Sequence, residues 1–125
     1  MKSSVSSKMT NGNIQIHESV ITTIVRKVAS EIDGVSRISG SSLVDNIAEI
    51  VGSKRIQDRA ITVQMGNACV SVEVAVNLYF GYKLPEVACE LQTAIQEEIR
   101  KLTGLEVRKV DVIIREIEEP KDEQY

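Results

Sequence analysis

The residues that could do chemistry in this chain are few and scattered. His17 is the only histidine, and Cys69 and Cys89 are the only cysteines. This set, without a C-x-x-C spacing, excludes a Cys/His zinc site made within one chain. His17 has no identifiable nucleophile to serve as a general base. A thiol becomes a strong nucleophile beside a fixed cation, and the sequence assigns none to either cysteine. An enzyme using one of them stays an open alternative, which predicts selective alkylation well below the usual thiol pKa.

Carboxylates are more numerous but follow no catalytic pattern. Asp33, Glu73, Asp111 and the pair Glu86/Glu90 fall on alternating strand positions and on an exposed helix face, as solvated surface charges do. The sequence contains no G-x-S-x-G, P-loop, G-x-G-x-x-G or H-E-x-x-H motif, and no G-x-x-G loop of a KH-type RNA module. We therefore predict no catalytic residue, no cofactor and no metal site.

Composition indicates one aliphatic domain. The chain has 125 residues, of which 42% are apolar and 26% are charged, and these values suit a single core. We predict a Ser-rich disordered arm over residues 1–11, one folded domain over 12–117 and an acidic disordered tail over 118–125. The chain carries no signal segment and no apolar run of membrane-spanning length, which predicts a cytoplasmic protein.

Apolar periodicity predicts two amphipathic helices that could position a surface. Apolar residues recur at three- and four-residue steps over residues 18–32 and again from Pro85 to residue 102. Gly34 and Gly104 suit the left-handed positions after the two helices. The predicted buried stripes are Val20, Ile21, Ile24, Val25, Val28, Ala29 and Ile32 in the first helix, and Val87, Ala88, Leu91, Ile95, Ile99 and Leu102 in the second.

Alternation of apolar and polar residues predicts a hairpin. Residues 61–65 and 69–80 flank Gly66-Asn67, a two-residue turn of the kind that adopts positive φ. One row of the long strand should be buried and the other half-exposed, so helices should cover one side of the sheet. The buried row is Val70, Val72, Val74, Val76, Leu78 and Phe80, and the opposite row is Cys69, Ser71, Glu73, Ala75, Asn77 and Tyr79.

These elements together predict a single α+β domain in two layers. The remaining predicted elements are strands over 13–16, 35–38 and 105–117 and a short helix over 43–52. The order is then β-α-β-(short α)-β-β-α-β, with a mixed or antiparallel sheet and two principal amphipathic helices packed on one face. Ile113 and Ile117 lie on the other side of the last strand, which suggests partial cover by another protomer.

Several segments carry a family resemblance through their order and spacing. They are Ile16-His-Glu-Ser-Val-Ile21, Ala29-Ser-Glu-Ile-Asp-Gly-Val35, the alternating residues 70–76, Tyr79-Phe-Gly81, and Leu102-Thr-Gly-Leu-Glu-Val107 running into Val110-Asp-Val112. Over about residues 13–117 the chain resembles the alkaline-shock-protein family of Gram-positive bacteria, also called the envelope stress response family. It departs from the family at His17, where a small or hydroxyl residue is frequent, and at Ala60, where glycine is frequent.

The resemblance implies a cytoplasmic, non-enzymatic stress-response protein. Such a protein would self-associate as a homo-oligomer and be held near the membrane by a membrane-anchored partner. The resemblance supplies no catalytic residue. The candidate interaction surface comprises the exposed row of the long strand, the corner that follows it and one side of the last strand. Its residues are Ser71, Glu73, Ala75, Asn77, Tyr79, Phe80, Tyr82, Ile113 and Ile117.

Nucleic-acid binding is the alternative interpretation. Lys54, Arg55 and Arg59 form a small basic cluster, which Arg108 and Lys109 could extend. Binding through these residues would fall steeply with salt. Aromatic residues make up 3% of the chain, which leaves few side chains to stack on bases. The tails account for most of the formal charge of −3, so the folded part is near neutral and no whole-domain field draws it to phosphate.

Overall fold

The structure, a computed structural model, describes residues 12–39 and 60–120. Its elements are α1 (Glu18–Glu31), β1 (Val35–Ile38), β2 (Ile61–Met65), β3 (Cys69–Tyr79), α2 (Leu84–Thr103) and β4 (Glu106–Glu118). The predicted arm over 1–11, the predicted short helix over 43–52 and the basic cluster Lys54, Arg55 and Arg59 lie outside the described residues.

The sheet is built around β3. β2 pairs antiparallel with residues 70–74 of β3, and β1 pairs antiparallel with residues 76–78. These two short strands therefore share one edge of β3, while β4 runs parallel along the whole of its other edge. The result is a mixed four-stranded sheet with two helices packed on it. The predicted α+β fold class is thus confirmed.

Helices α1 and α2 cover one face of the sheet. The even-numbered residues 70–78 of β3 are at most 1% exposed and belong to one core cluster with both helices. Removing such aliphatic side chains from water contributes about 1.5–3 kcal/mol for each large residue. The buried helix residues are Ile21, Ile24, Val25, Val28 and Ala29 in α1, and Val87, Leu91, Ile95, Ile99 and Thr103 in α2.

Two residues of the predicted stripes are wrong, because Val20 and Leu102 are exposed. At the end of α2 the stripe continues from Ile99 by a step of four to Thr103. The Thr103 hydroxyl donates to the Ile99 carbonyl at 2.6 Å and accepts from the Leu105 N–H at 3.0 Å, so this polar side chain is buried with its hydrogen bonds made.

The predicted strand over residues 13–16 does not form. Residues 13–17 have no regular structure, and Ile14 is exposed. Among the described residues, both edges of β3 are already taken by β1, β2 and β4, so this segment has no place beside the central strand. At the other end, β4 extends to Glu118, one residue into the predicted acidic tail.

The hairpin is confirmed, but its turn lies one residue further on. The N–H of Gly66 donates to the Cys69 carbonyl at 2.8 Å, so the loop residues are Asn67 and Ala68. The positive φ falls on Ala68, at 63°. At Gly66 an added Cβ would lie 2.8 Å from the Cys69 Sγ, so the Cys69 side chain would have to rotate away.

Candidate interaction surface

The face of the sheet opposite the helices, hereafter the open face, is set by the odd-numbered residues of β3. The strand register places β1, β2 and β4 side chains beside them. The residues of the open face are Arg37, Thr62, Gln64, Cys69, Ser71, Glu73, Ala75, Asn77, Tyr79, Glu106, Lys109, Asp111, Ile113, Glu116 and Glu118.

The end of the open face near the hairpin is polar. A shallow cavity of about 120 Å³ lies here, and the residues that line it include Ser71, Glu73, Lys109 and Asp111. Lys109 Nζ lies 3.4 Å from Asp111 Oδ2, and both side chains are more than half exposed. The alternation of acids and bases gives this region no single sign of charge, so it suits a hydrated protein contact better than a phosphate backbone.

Cys69 and Arg108 form the border of this polar end. Arg108 Nη1 lies 4.0 Å from the Cys69 Sγ, and a second cavity of about 510 Å³ runs past both residues. Cys89 is exposed on α2, in the helix layer on the other side of the sheet. The two thiols are therefore separated by the sheet. Selective alkylation of either one stays a prediction.

At the other end of the open face, the Glu118 carboxylate of β4 reaches over β3 to side chains of β1. The Glu118 side chain accepts hydrogen bonds from Ser36 Oγ at 2.7 Å and from Asn77 Nδ2 at 2.8 Å. Its Oε2 also lies 2.9 Å from Arg37 Nη2. The Ser36 and Asn77 bonds, with the charge of Arg37, hold the pKa of Glu118 below its ordinary value although partial burial opposes them. Glu118 thus ties β4 to β1 across the central strand.

This network corrects part of the predicted surface. Ala75 and Asn77 are each only 3% exposed, so they are wrong as exposed contact residues. Asn77 is hydrogen-bonded to the Glu118 carboxylate, and Ala75 is a small residue opposite the larger Ile113. Sequence reasoning missed Glu118 because it stands in an acidic run. Local alternation gives no signal for it, because an uninterrupted alternation from Val110 would place Glu118 on the helix side.

Exposed apolar side chains lie along β4 and at the corner after β3. Ile113 is 40% exposed and Phe80 is 64% exposed, and Tyr82 and Ile117 are also exposed. The Phe80 N–H donates to the Glu118 carbonyl at 2.8 Å, which places the corner beside the end of β4. Exposed apolar residues that lie near one another, as Phe80 does to the end of β4, are typical of contact surfaces.

The other predicted residues at β3 differ in their exposure. Ser71 and Tyr79 are half-buried, and Glu73 is exposed. Phe80 is wrong as a member of the buried row, because β3 ends at Tyr79 and the chain turns at Gly81, whose φ is 108°.

The alternation predicted that Ile113 and Ile117 share a face, and this prediction is wrong. The β3–β4 register shifts twice, with Arg108 and Arg115 as the extra residues of β4. An extra residue reverses the alternation beyond it. Ile113 therefore stands opposite Ala75 on the open face, whereas Ile117 stands opposite Leu78 in the row that faces the helices.

Comparison with known proteins places this fold in a family. A family model described as ASP23 family, cell envelope-related function, matches residues 6–119. YqhY of Bacillus subtilis, an uncharacterised protein, is 26% identical over 82% of this chain and 75% of its own length. A protein of Streptococcus pyogenes named stress response regulator gls24 homolog is 22% identical over 85% of this chain, which spans 59% of that relative's length.

Two further findings complete the comparison. Solved structures of MamM-CTD share a TM-score of 0.49 and 9% identity with this chain, over 80% of it and 98% of their own length, a likeness too low to carry an argument. Neither helix in the described part of the chain is long and apolar enough to cross a membrane. Because the family model covers most of its length, the chain belongs to the alkaline shock protein (ASP23) family of cell envelope-related function.

Proposed function

We propose that this protein is a non-enzymatic scaffold of the envelope stress response that self-associates through its open face and the adjoining corner. The stress role is supported by the family and by a relative named as a stress response regulator. The observation that carries the contact surface is the second face of the sheet, which no described element covers, together with the exposed apolar side chains of Ile113, Phe80 and Tyr82.

The make-up of this surface fits a protein contact. Its apolar side chains can supply the buried centre of an interface, and Ser71, Glu73 and Lys109 supply a polar rim. Burying a large apolar side chain contributes about 1.5–3 kcal/mol, whereas association itself costs at least about 4 kcal/mol. Several apolar residues must therefore be buried together. The corner and β4 provide four exposed ones, which are Phe80, Tyr82, Ile113 and Ile117.

The cellular setting forms the second half of the proposal. We place the protein in the cytoplasm, next to the membrane, where a membrane-anchored partner protein holds it. The envelope-related function of the family supports this location. Self-association would then present many copies of the partner-binding surface at once, which raises the apparent affinity for a clustered membrane partner.

Sedimentation velocity of the purified full chain over a range of concentrations tests the proposal, at neutral and at alkaline pH. We expect larger species as concentration rises, and we expect the double variant Tyr79→Glu/Ile113→Glu to remain smaller at every concentration. Leu102→Glu is the matched control, since it places the same charge on an exposed apolar residue of α2. A monomeric wild type at all concentrations would refute self-association, and an unchanged profile of the double variant would refute the assigned surface.

A further inference from the structure

The outer edge of β4 offers a more specific contact than the open face as a whole. β4 is 13 residues long, and among the described residues it pairs with β3 alone. Its other edge therefore presents backbone N–H and C=O groups that a further strand could use. The side chains of Lys109 and Asp111 are more than half exposed and Ile113 is 40% exposed, so the strand is accessible.

Part of this edge is already occupied. Gln92 of α2 donates from Nε2 to the Val110 carbonyl at 2.8 Å. A side-chain donor on an edge carbonyl competes with a new strand for that group. Val110 is also buried, whereas Val112 and Ile114 are partly exposed. The half of β4 beyond Val110 is therefore the part most open to pairing.

We propose that this free half of β4 pairs antiparallel with β4 of a second copy, about a two-fold axis at Ile113. The proposal rests on the self-association proposed above and names the contact that produces it. In this register Ile113 faces Ile113 of the second copy, Val112 faces Ile114, and Asp111 faces Arg115. Because of the two-fold symmetry, the Val112–Ile114 and Asp111–Arg115 pairs each occur twice. In the second pair, opposite charges face each other across the two strands.

Charge favours this register over the neighbouring one centred on Val112, and alternation is consistent with both. A continuous sheet with both open faces on one side requires odd residues to face odd residues from Lys109 up to the extra residue Arg115, beyond which the alternation reverses. An axis at Val112 would place Lys109 opposite Arg115, which sets like charges together. The register centred on Ile113 avoids this repulsion, and it gives Asp111 a second cation besides Lys109.

The pairing would have a consequence for the whole surface. Two four-stranded sheets would become one eight-stranded sheet, with the two open faces side by side. The exposed side chain of Ile113 would be covered at the centre. The open faces and the corners of Phe80 and Tyr82 would stay accessible for further contacts.

A charge reversal tests the register in the full chain. Asp111→Arg and Arg115→Asp each place like charges opposite one another, and we expect each to weaken dimerisation about tenfold. The double variant Asp111→Arg/Arg115→Asp restores both opposite pairs, so its dissociation constant should return to that of the wild type. Two single variants that dimerise like the wild type, or a double variant that stays as weak as the singles, would overturn the proposal.

A disulfide provides an independent readout. In a chain carrying Cys69→Ser and Cys89→Ser, Ile113→Cys should form a covalent dimer under mild oxidation. Facing residues in an antiparallel pair have Cβ atoms about 4.5–5.5 Å apart, close to the span of a disulfide. Leu102→Cys, on exposed α2, is the control and should not cross-link. Equal cross-linking at both positions, or none at residue 113, would contradict the edge pairing.

These experiments separate two kinds of failure. If the wild type stays monomeric, the proposed function fails and the edge pairing fails with it. If the wild type assembles while the charge reversal and the cross-link are both negative, only the edge pairing is wrong, and self-association uses another part of the open face.

Discussion

The two sides of β3 are buried by different means. Toward the helices, the even-numbered residues 70–78 present only aliphatic side chains, and each is at most 1% exposed. Toward the open face, burial changes along the strand: Glu73 is exposed, whereas Ala75 and Asn77 are 3% exposed. On the helix side, apolar packing supplies the stabilisation. At one end of the open face, burial comes instead from the small side chain of Ala75 and from the hydrogen bonds of the Glu118 carboxylate.

This difference indicates which parts of the molecule can take a partner. The helix side is already a closed core, and the Glu118 network ties one end of the open face together. The polar region near the hairpin, the outer edge of β4 and the corner after β3 stay accessible. The same central strand thus contributes stability through one row of side chains and a contact surface through part of the other.

The largest effect should come from truncating the helix side. Leu78→Ala is expected to lower the free energy of unfolding by about 2–5 kcal/mol, because it removes a fully buried side chain and leaves a cavity. Ile113→Ala on the open face should cost less than about 1 kcal/mol at concentrations where the chain is monomeric. Urea unfolding followed by circular dichroism measures both, and similar losses would break the distinction between the two sides.

Removing the carboxylate charge of Glu118 should have an intermediate effect. Glu118→Gln is expected to cost about 1 kcal/mol at neutral pH, since the hydrogen bonds involve a charged group that is partly exposed. Because folding lowers the pKa of Glu118, its contribution is present above the unfolded pKa of about 4.3 and is lost as pH falls through the folded value.

The pH dependence gives this variant its control. The wild type should lose stability relative to Glu118→Gln as the solution is acidified below about pH 4.3. Glu116→Gln, which changes an exposed neighbour on β4, is the control, and its stability should fall with pH as that of the wild type does. Parallel stability curves for the wild type and Glu118→Gln would show that the network does not stabilise the open face.

The smallest effect concerns the turn, which belongs to neither side of the sheet. Ala68 has a φ of 63°, a region that glycine adopts more easily than alanine. Ala68→Gly should therefore raise the free energy of unfolding by about 0.5–1 kcal/mol, measured by thermal or urea unfolding. Asn67→Gly is the control and should not stabilise, because Asn67 lacks a positive φ. Destabilisation by Ala68→Gly would contradict the observed turn.

Much of the helix side could be predicted from the sequence, because it depends on regular periods. The three- and four-residue steps give the stripe of α1 and the alternation gives the buried row of β3, so both elements lie within about two residues of their predicted bounds. The exceptions are at ends. Leu102 and Thr103 both continue a helical period from Ile99, and only the packing decides between them.

The open face was harder to predict because it depends on contacts between distant segments. The extra residues Arg108 and Arg115 change the register of β4, and no local pattern marks them. Glu118 acquires its role from Ser36 and Asn77, which are far from it in the sequence. Sequence patterns can therefore identify that a face is half-exposed, but the residues available for contact follow only from the pairing of the strands.

Amide hydrogen exchange of the full chain, compared at low and high protein concentration, tests the central claim most directly. If the open face and the edge of β4 form the contact, protection should increase with concentration in β4 and in the corner of Phe80 to Tyr82, while α1 and α2 stay unchanged. Increased protection confined to the helices, or no change at any concentration, would contradict the claim that the side of the sheet away from the helices is the working surface of this protein.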